Sequence, residues 1–143
     1  MKRNWFKIRL KILLACVLVV GLYPHSAAVA QGKTVKVTVT VSDIQLARND
    51  SVGNEWVTKA FVNGKAIGET VTWEAKPSDT VKLKAYAEEQ DKVPDIGTKE
   101  LAVKLSSFQT SVDKKLNVVV KENRGRYSGN TAEWQFMFKI EKK

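Results

Sequence analysis

The feature that most constrains the fold is a strict alternation of valine with polar residues. Residues 34–41 read T-V-K-V-T-V-T-V, so Val35, Val37, Val39 and Val41 fall on one face of an extended strand. A helix would spread these valines around its circumference, because its side chains return to one face every ~3.6 residues rather than every second residue. The segment therefore predicts a β-strand with one buried face.

Six further segments are rich in β-branched and aromatic residues and predict strands. Asn63-Gly64 between two apolar runs predicts a two-residue hairpin turn. About seven or eight short strands at this spacing predict a single antiparallel β-sandwich, with an open barrel as the alternative. The six strand segments are residues 56–62, 70–74, 80–88, 99–104, 116–121 and 132–140, and turn-forming clusters occupy residues 48–54, 76–79, 90–97, 106–113 and 123–130.

The first thirty residues have the layout of a secretory signal peptide. They carry five basic residues and no acidic one, followed by the apolar run 12–23 and a small-residue exit. Ala28-Val29-Ala30 fits the A-x-A pattern, so we expect cleavage before Gln31, with cleavage after Ala28 as the second choice. A membrane anchor is the alternative, but the apolar run covers about 12 residues and a membrane-spanning helix needs about 20.

Leu13-Leu14-Ala15-Cys16 also resembles a bacterial lipobox, which would make Cys16 a lipid-anchored first residue. Against that alternative, the apolar run continues past the cysteine. We therefore expect a signal peptide over residues 1–30 and one secreted β-sandwich domain over residues 31–143.

The charge of the whole chain, +9, overstates that of the mature domain. Without the five basic residues of the leader, 19 basic residues face 15 acidic ones, a net charge of +4. The basicity is mainly a targeting signal, so we expect no nucleic-acid partner.

The only cysteine, Cys16, and the only histidine, His25, both lie in the leader. The mature chain thus has no Cys or Ser–His nucleophile pair, no imidazole base and no Cys/His zinc site. We expect a domain that is not an enzyme and that has no disulfide.

Two segments carry acidic loops after strands. Ile44-Gln45-Leu46 leads into Asn49-Asp50-Ser51-Val52-Gly53-Asn54-Glu55-Trp56, and residues 81–97 end in E-E-Q-D-K-V-P-D-I-G. This arrangement resembles C2 domains, the calcium- and lipid-binding β-sandwiches. Asn49 and Glu55 take the places of two acidic residues around a Gly-containing loop. Glu89, Asp91 and Asp95 take those of a D-x-D pair and a further Asp.

The resemblance implies a calcium site at one end of the sandwich, held by Asn49, Glu55, Glu89, Asp91 and Asp95. Calcium takes about 6 to 8 oxygen ligands, which carboxylates from two loops can supply. Clustered carboxylates also repel each other unless a cation neutralises them. The alternative is that these are ordinary solvated turn residues.

Residues 123–130 read N-R-G-R-Y-S-G-N and suggest a contact with an anion or a sugar. Arg124 and Arg126 can bind anions bidentately, and Tyr127 offers a stacking face. The alternative is a polar hairpin loop whose glycines supply positive φ. Trp56, Trp73 and Trp134 fall at apolar positions of predicted strands, which favours core packing over sugar stacking.

Through the N-D-S-V-G-N-E-W and E-N-R-G-R-Y-S-G-N stretches, the mature chain also resembles small secreted proteins of unknown function from Bacillus-type Gram-positive bacteria. We expect a monomeric, non-catalytic binding module, calcium-assisted, that engages an anionic cell-envelope polymer or lipid. The alternative is a secreted inhibitor or toxin-type domain that presents residues 124–130 to a protein partner.

The leader makes a testable prediction about the mature N-terminus. The intact mass of the secreted protein should correspond to a chain that starts at Gln31, either unmodified or as pyroglutamate, because the A-x-A site precedes that residue. A lipidated N-terminal Cys16 in the mass spectrum would refute this expectation.

Overall fold

The alternating valines begin the longest strand, β1 (Val35–Asn49), which pairs with a neighbour on each side. The computed structural model describes residues 32–143, which form one unit. The expectations for the signal peptide, its cleavage before Gln31 and a lipid at Cys16 fall outside these residues. Within them, no helix is long and apolar enough to cross a membrane.

In the described part of the chain, eight strands form two antiparallel sheets. One has the strand order β4-β1-β8-β7 and the other β3-β2-β5-β6. This architecture confirms the predicted all-β sandwich. The remaining strands are β2 (Trp56–Val62), β3 (Lys65–Ile67), β4 (Thr70–Ala75), β5 (Thr80–Glu89), β6 (Asp95–Lys104), β7 (Ser111–Lys121) and β8 (Thr131–Lys142), with one 3-10 turn at Leu105–Ser107.

The two sheets face each other across a core of β-branched, small and aromatic side chains. Val37 and Val39 of β1 are fully buried, while Thr38 between them is partly exposed, as the alternation predicts. The largest buried side chains, Phe136 and Phe138, come from β8 beside it. Trp56, Trp73 and Trp134 are partly buried and pack against this core, in agreement with the core-packing expectation.

Several strands are longer than their sequence patterns predict. β1 continues to Asn49, because register shifts at Val41/Asp43 and at Leu46/Arg48 reset its pairing with β8. Each such bulge interrupts the alternation that identifies a strand in the sequence. β6 begins at Asp95, inside the predicted turn segment 90–97, and β7 begins at Ser111, inside the predicted turn segment 106–113. β3 lies where the sequence predicts no strand.

The hairpin turn at Asn63-Gly64 is confirmed. Both residues have positive φ, 50° and 81°, as a tight two-residue turn requires. The Asn63 side-chain oxygen accepts a hydrogen bond from the backbone N–H of Lys82 at 2.9 Å, which fixes the turn against β5.

One edge of the sandwich closes where β6 meets β7, although the two strands belong to different sheets. A methyl group built at Gly97 would lie 2.4 Å from the Val119 carbonyl oxygen and 2.8 Å from Val118 Cγ1. The backbones thus approach more closely than any side chain at Gly97 would allow. The glycine lets the edges of the two sheets come together.

Replacing Gly97 with Ala should therefore destabilise the domain by about 1 to 3 kcal/mol, because one of the two strands must move. Chemical denaturation measures the change in the free energy of unfolding. Gly68→Ala is the matched control, since no atom lies within 4 Å of a Cβ at that position, and it should fall within about 0.5 kcal/mol of wild type. Equal effects of the two changes would contradict the close approach.

Candidate functional site

Three loops gather at one end of the sandwich, because the strands that precede them run toward that end. They are residues 50–55 after β1, 90–94 after β5 and 122–130 after β7. The backbone N–H of Gln90 donates to the Glu55 carbonyl at 2.6 Å. Asn123 Nδ2 donates to Asp95 Oδ1 at 2.7 Å. These two hydrogen bonds connect the three loops.

Glu89 is a buried carboxylate at the centre of this end. It continues the inward-facing row of β5 that begins with Val81 and Leu83, and it is only 6% exposed. Gly53 covers it so closely that a methyl group there would lie 2.2 Å from Glu89 Oε1. Within residues 32–143 the Glu89 carboxylate makes no hydrogen bond and no ion pair. The 17 side-chain hydrogen bonds and three ion pairs of this part of the chain all lie elsewhere.

Burial raises the pKa of Glu89 above its ordinary value. The negative charges of Asp91, Glu122, Asp95 and Glu55 raise this pKa further, in that order. Both causes disfavour the ionised carboxylate. We call Glu55, Glu89, Asp91, Asp95 and Glu122 the carboxylate cluster.

Asp95, the second buried acid of the cluster, lies directly across the β5–β6 ladder from Glu89. Unlike Glu89, it has donors, because Asn123 binds it through Nδ2 and, at 3.4 Å, through its backbone N–H. Asp95 is therefore compensated by the β7–β8 loop, whereas Glu89 is not.

The other predicted calcium ligands lie at the same end, in different roles. Asn49 accepts from the Val52 N–H at 2.9 Å and donates to the Gly53 carbonyl at 2.7 Å, so its side chain holds the first loop in shape. Asp91 is exposed and accepts from the Lys92 N–H at 2.6 Å. Glu55 is exposed as well.

These acidic side chains lie at the same end of the domain, but they are not arranged as a complete metal-binding site. In the described part of the chain, no three His, Cys, Asp or Glu side chains are placed so that they could hold a metal ion. None of the ion pairs in that part involves a member of the carboxylate cluster.

Glu122 is the member of the cluster that the sequence analysis missed. It follows β7, far along the chain from the two C2-like segments, and is half-buried. The available signal was strand direction, since the turn after β7 falls at the same end as those after β1 and β5 when eight alternating strands are counted.

The predicted anion contact lies in the loop beside the carboxylate cluster. Tyr127 is 49% exposed, and the Arg126 guanidinium carbon lies 5.9 Å from the centre of its ring. The backbone N–H of Arg124 donates to Glu122 Oε1 at 3.3 Å. The predicted anion contact and the predicted calcium site are thus neighbours in the fold.

Two indole groups lie at the same end. Trp56 faces Glu89 across the β2–β5 ladder, and its ring meets that of Trp134 edge-on, with the ring centres 5.6 Å apart. Both indole N–H groups are buried without a hydrogen-bond partner in the described structure. Each such donor costs about 1 to 3 kcal/mol. Two buried donors are therefore unsatisfied at this end of the described domain, beside the Glu89 carboxylate.

No model of a known protein family matches the chain, and no curated protein matches it.

The raised pKa of Glu89 gives a prediction about pH. The folded domain binds the Glu89 proton more tightly than the unfolded chain does, so stability falls as the pH rises from the ordinary glutamate range through the raised pKa. Glu89→Gln should remove this loss and make the domain more stable than wild type at neutral pH, because the amide carries no charge that burial and the neighbouring carboxylates disfavour. The difference from wild type should shrink below the ordinary pKa of glutamate, where Glu89 is protonated in both states.

Denaturation curves across the acidic to neutral range measure this effect. Glu69→Gln is the control, because that side chain is exposed and outside the cluster, and it should follow the wild-type profile. A Glu89→Gln variant that is less stable than wild type at neutral pH would show that the carboxylate has a stabilising partner.

Proposed function

We propose that the mature domain is a secreted, non-catalytic binding module that takes up calcium at the carboxylate cluster and engages an anionic component of the cell envelope or a lipid. The observation that carries the proposal is Glu89, a residue only 6% exposed whose carboxylate receives no hydrogen bond from the described part of the chain, next to four other carboxylates. Partial burial and the repulsion of the neighbouring carboxylates disfavour the charged form of Glu89, and a bound cation would offset both.

The chemistry of the ligand set favours calcium. Every member of the cluster offers hard carboxylate oxygens, which suit calcium better than softer metals that prefer nitrogen or sulfur. Glu89 and Asp95 are held by the strand ends, whereas Asp91 and Glu55 are exposed and lie at loop positions. Calcium uptake would draw the loop carboxylates inward toward Glu89, since calcium accepts flexible coordination geometries.

Calcium at this position would also change what the end of the domain can bind. Without it, five carboxylates repel anions. With it, this end would be less negative, and an anionic group could be bound by the ion together with Arg124 or Arg126 of the neighbouring loop.

A second function draws on the exposure of Tyr127 in the 122–130 loop. Tyrosine and arginine are enriched at the centres of protein interfaces. A secreted inhibitor or toxin-type domain would present this loop to a protein partner, and its binding would not depend on calcium.

Melting curves with calcium and with a chelator test the first proposal. A ligand that binds only the folded state, at about 100 times its Kd, adds about 2.7 kcal/mol of stability. In the Asp91→Asn variant the stability with chelator should be unchanged or slightly raised, because repulsion is relieved, and the stabilisation by calcium should shrink because one ligand charge is lost.

Asp113→Asn, an exposed position in β7, makes the same charge change outside the cluster and should keep the full response to calcium. A wild-type protein whose melting does not respond to millimolar calcium would end the calcium proposal. Equal responses of the Asp91→Asn and Asp113→Asn variants to calcium would show that the ion binds outside the carboxylate cluster.

A further inference from the structure

Two grooves lined by lysines lie next to each other along β6. The first, of about 360 Å³, includes Lys82 and Lys84 of β5 and Glu100 of β6. The second, of about 340 Å³, includes Lys104 of β6 and Lys114 of β7. Both are also lined by Leu101 and Ala102, so the grooves adjoin along these residues. We call the pair the lysine grooves.

The strand register places a short side chain between a lysine of each groove, where the two grooves adjoin. Lys82 lies directly across from Ala102, and Lys104 is two residues further along β6. Because the alanine is short, the two longer lysine side chains rise beside it. Residues diagonal across a strand pair lie about 7 to 8 Å apart, close enough for Lys82 and Lys104 to contact one chain of bound ligand.

The positive charge of the grooves is mostly uncompensated. Glu100 is their only acidic lining residue, and it pairs with Lys84 at 3.5 Å. Lys84 also lies over the Phe61 ring, at 5.9 Å from its centre. No ion pair within residues 32–143 involves Lys82, Lys104 or Lys114.

The lysine grooves are far from the carboxylate cluster. Lys82 and Glu89 are seven residues apart in β5, which is about 23 Å at ~3.3 Å per residue. Charges at that distance are largely screened from each other, since the Debye length is about 8 Å at physiological ionic strength. An ion in the cluster therefore has little electrostatic effect on a phosphate group bound in the grooves.

We infer that the lysine grooves bind a linear polyanion that carries phosphate groups, and that this binding does not require calcium. The inference rests on the proposed function, in which the domain engages an anionic component, and adds a second contact on a different surface from the carboxylate cluster. Four lysines over three strands match the repeated charges of a polymer better than one small anion. Lysine binds phosphate as a compact point charge.

The shape of this surface favours a polymer over a membrane. An extended chain can enter grooves, whereas a bilayer surface is broad. Peripheral membrane binding also gains from apolar side chains that insert between lipids. Leu101, 36% exposed, is the one exposed large apolar residue in the lining of the grooves.

The test measures binding of the mature domain to labelled long-chain inorganic polyphosphate by fluorescence anisotropy, with chelator and with calcium. We expect binding in both conditions that weakens as salt is added. The double variant Lys82→Glu/Lys104→Glu should bind about tenfold more weakly or worse, because two attractive charges become repulsive.

Lys115→Glu/Lys121→Glu is the matched control, with the same change in charge at two exposed positions on β7 outside both grooves. It should stay within about threefold of wild type, because neither side chain lines a groove and screening weakens the effect of exposed charges that do not contact the polymer. Circular dichroism checks the fold of each variant. If the glutamate variant does not fold, Lys82→Gln/Lys104→Gln takes its place and should still weaken binding.

Equal losses in the grooves and in the control would overturn the inference, as would the absence of any binding to polyphosphate. Binding seen only with calcium would overturn it while supporting the calcium proposal. If the domain binds phosphatidylglycerol vesicles through Lys82 and Lys104, and polyphosphate does not compete with the vesicles, the partner of the grooves is a membrane surface instead. Binding to polyphosphate by a domain whose melting ignores calcium would support the inference and remove the calcium proposal.

Discussion

The close contact between β6 and β7 at Gly97 holds together the end of the domain that carries the candidate site. Because no side chain separates the two backbones there, Asp95, two residues earlier, comes within reach of Asn123 at the end of β7. That hydrogen bond fastens the β7–β8 loop over the β5–β6 turn. The charge of Glu122 then adds to the field at Glu89. One part of the electrostatics of the site, the charge of Glu122, thus depends on a steric requirement at Gly97.

Local patterns predicted most strands, but strand direction depended on an element too short to detect. β3 has only three residues, Lys65–Ile67, and no alternation can be recognised over that length. The Asn63-Gly64 turn indicated a returning strand, yet we placed none before residue 70. With seven alternating strands, the loop after β1 and the turn after β5 would lie at opposite ends of the domain. With eight, they meet at one end, as the structure has them.

The part of the site that is formed by residues close together in the sequence could be predicted from the sequence. The acidic spacing pointed to Glu89, Asp91 and Asp95, which the β5–β6 hairpin brings together. The burial of Glu89 could not be read from the sequence, since it depends on the close approach of Gly53 from another loop. The lysine grooves depend on which residues lie opposite each other across strands, which composition does not reveal.

The two bulges in β1 also bear on how the domain behaves at high concentration. β4 pairs with β1 only through residues 35–40, so on that side the second half of β1 has no neighbouring strand within the described sheets. A straight, unpaired edge invites pairing with another molecule and can seed aggregation. The register shifts at Val41/Asp43 and Leu46/Arg48 bend this edge and interrupt its regular spacing of donors and acceptors. The irregularity that hid half of β1 in the sequence is thus a barrier to self-association.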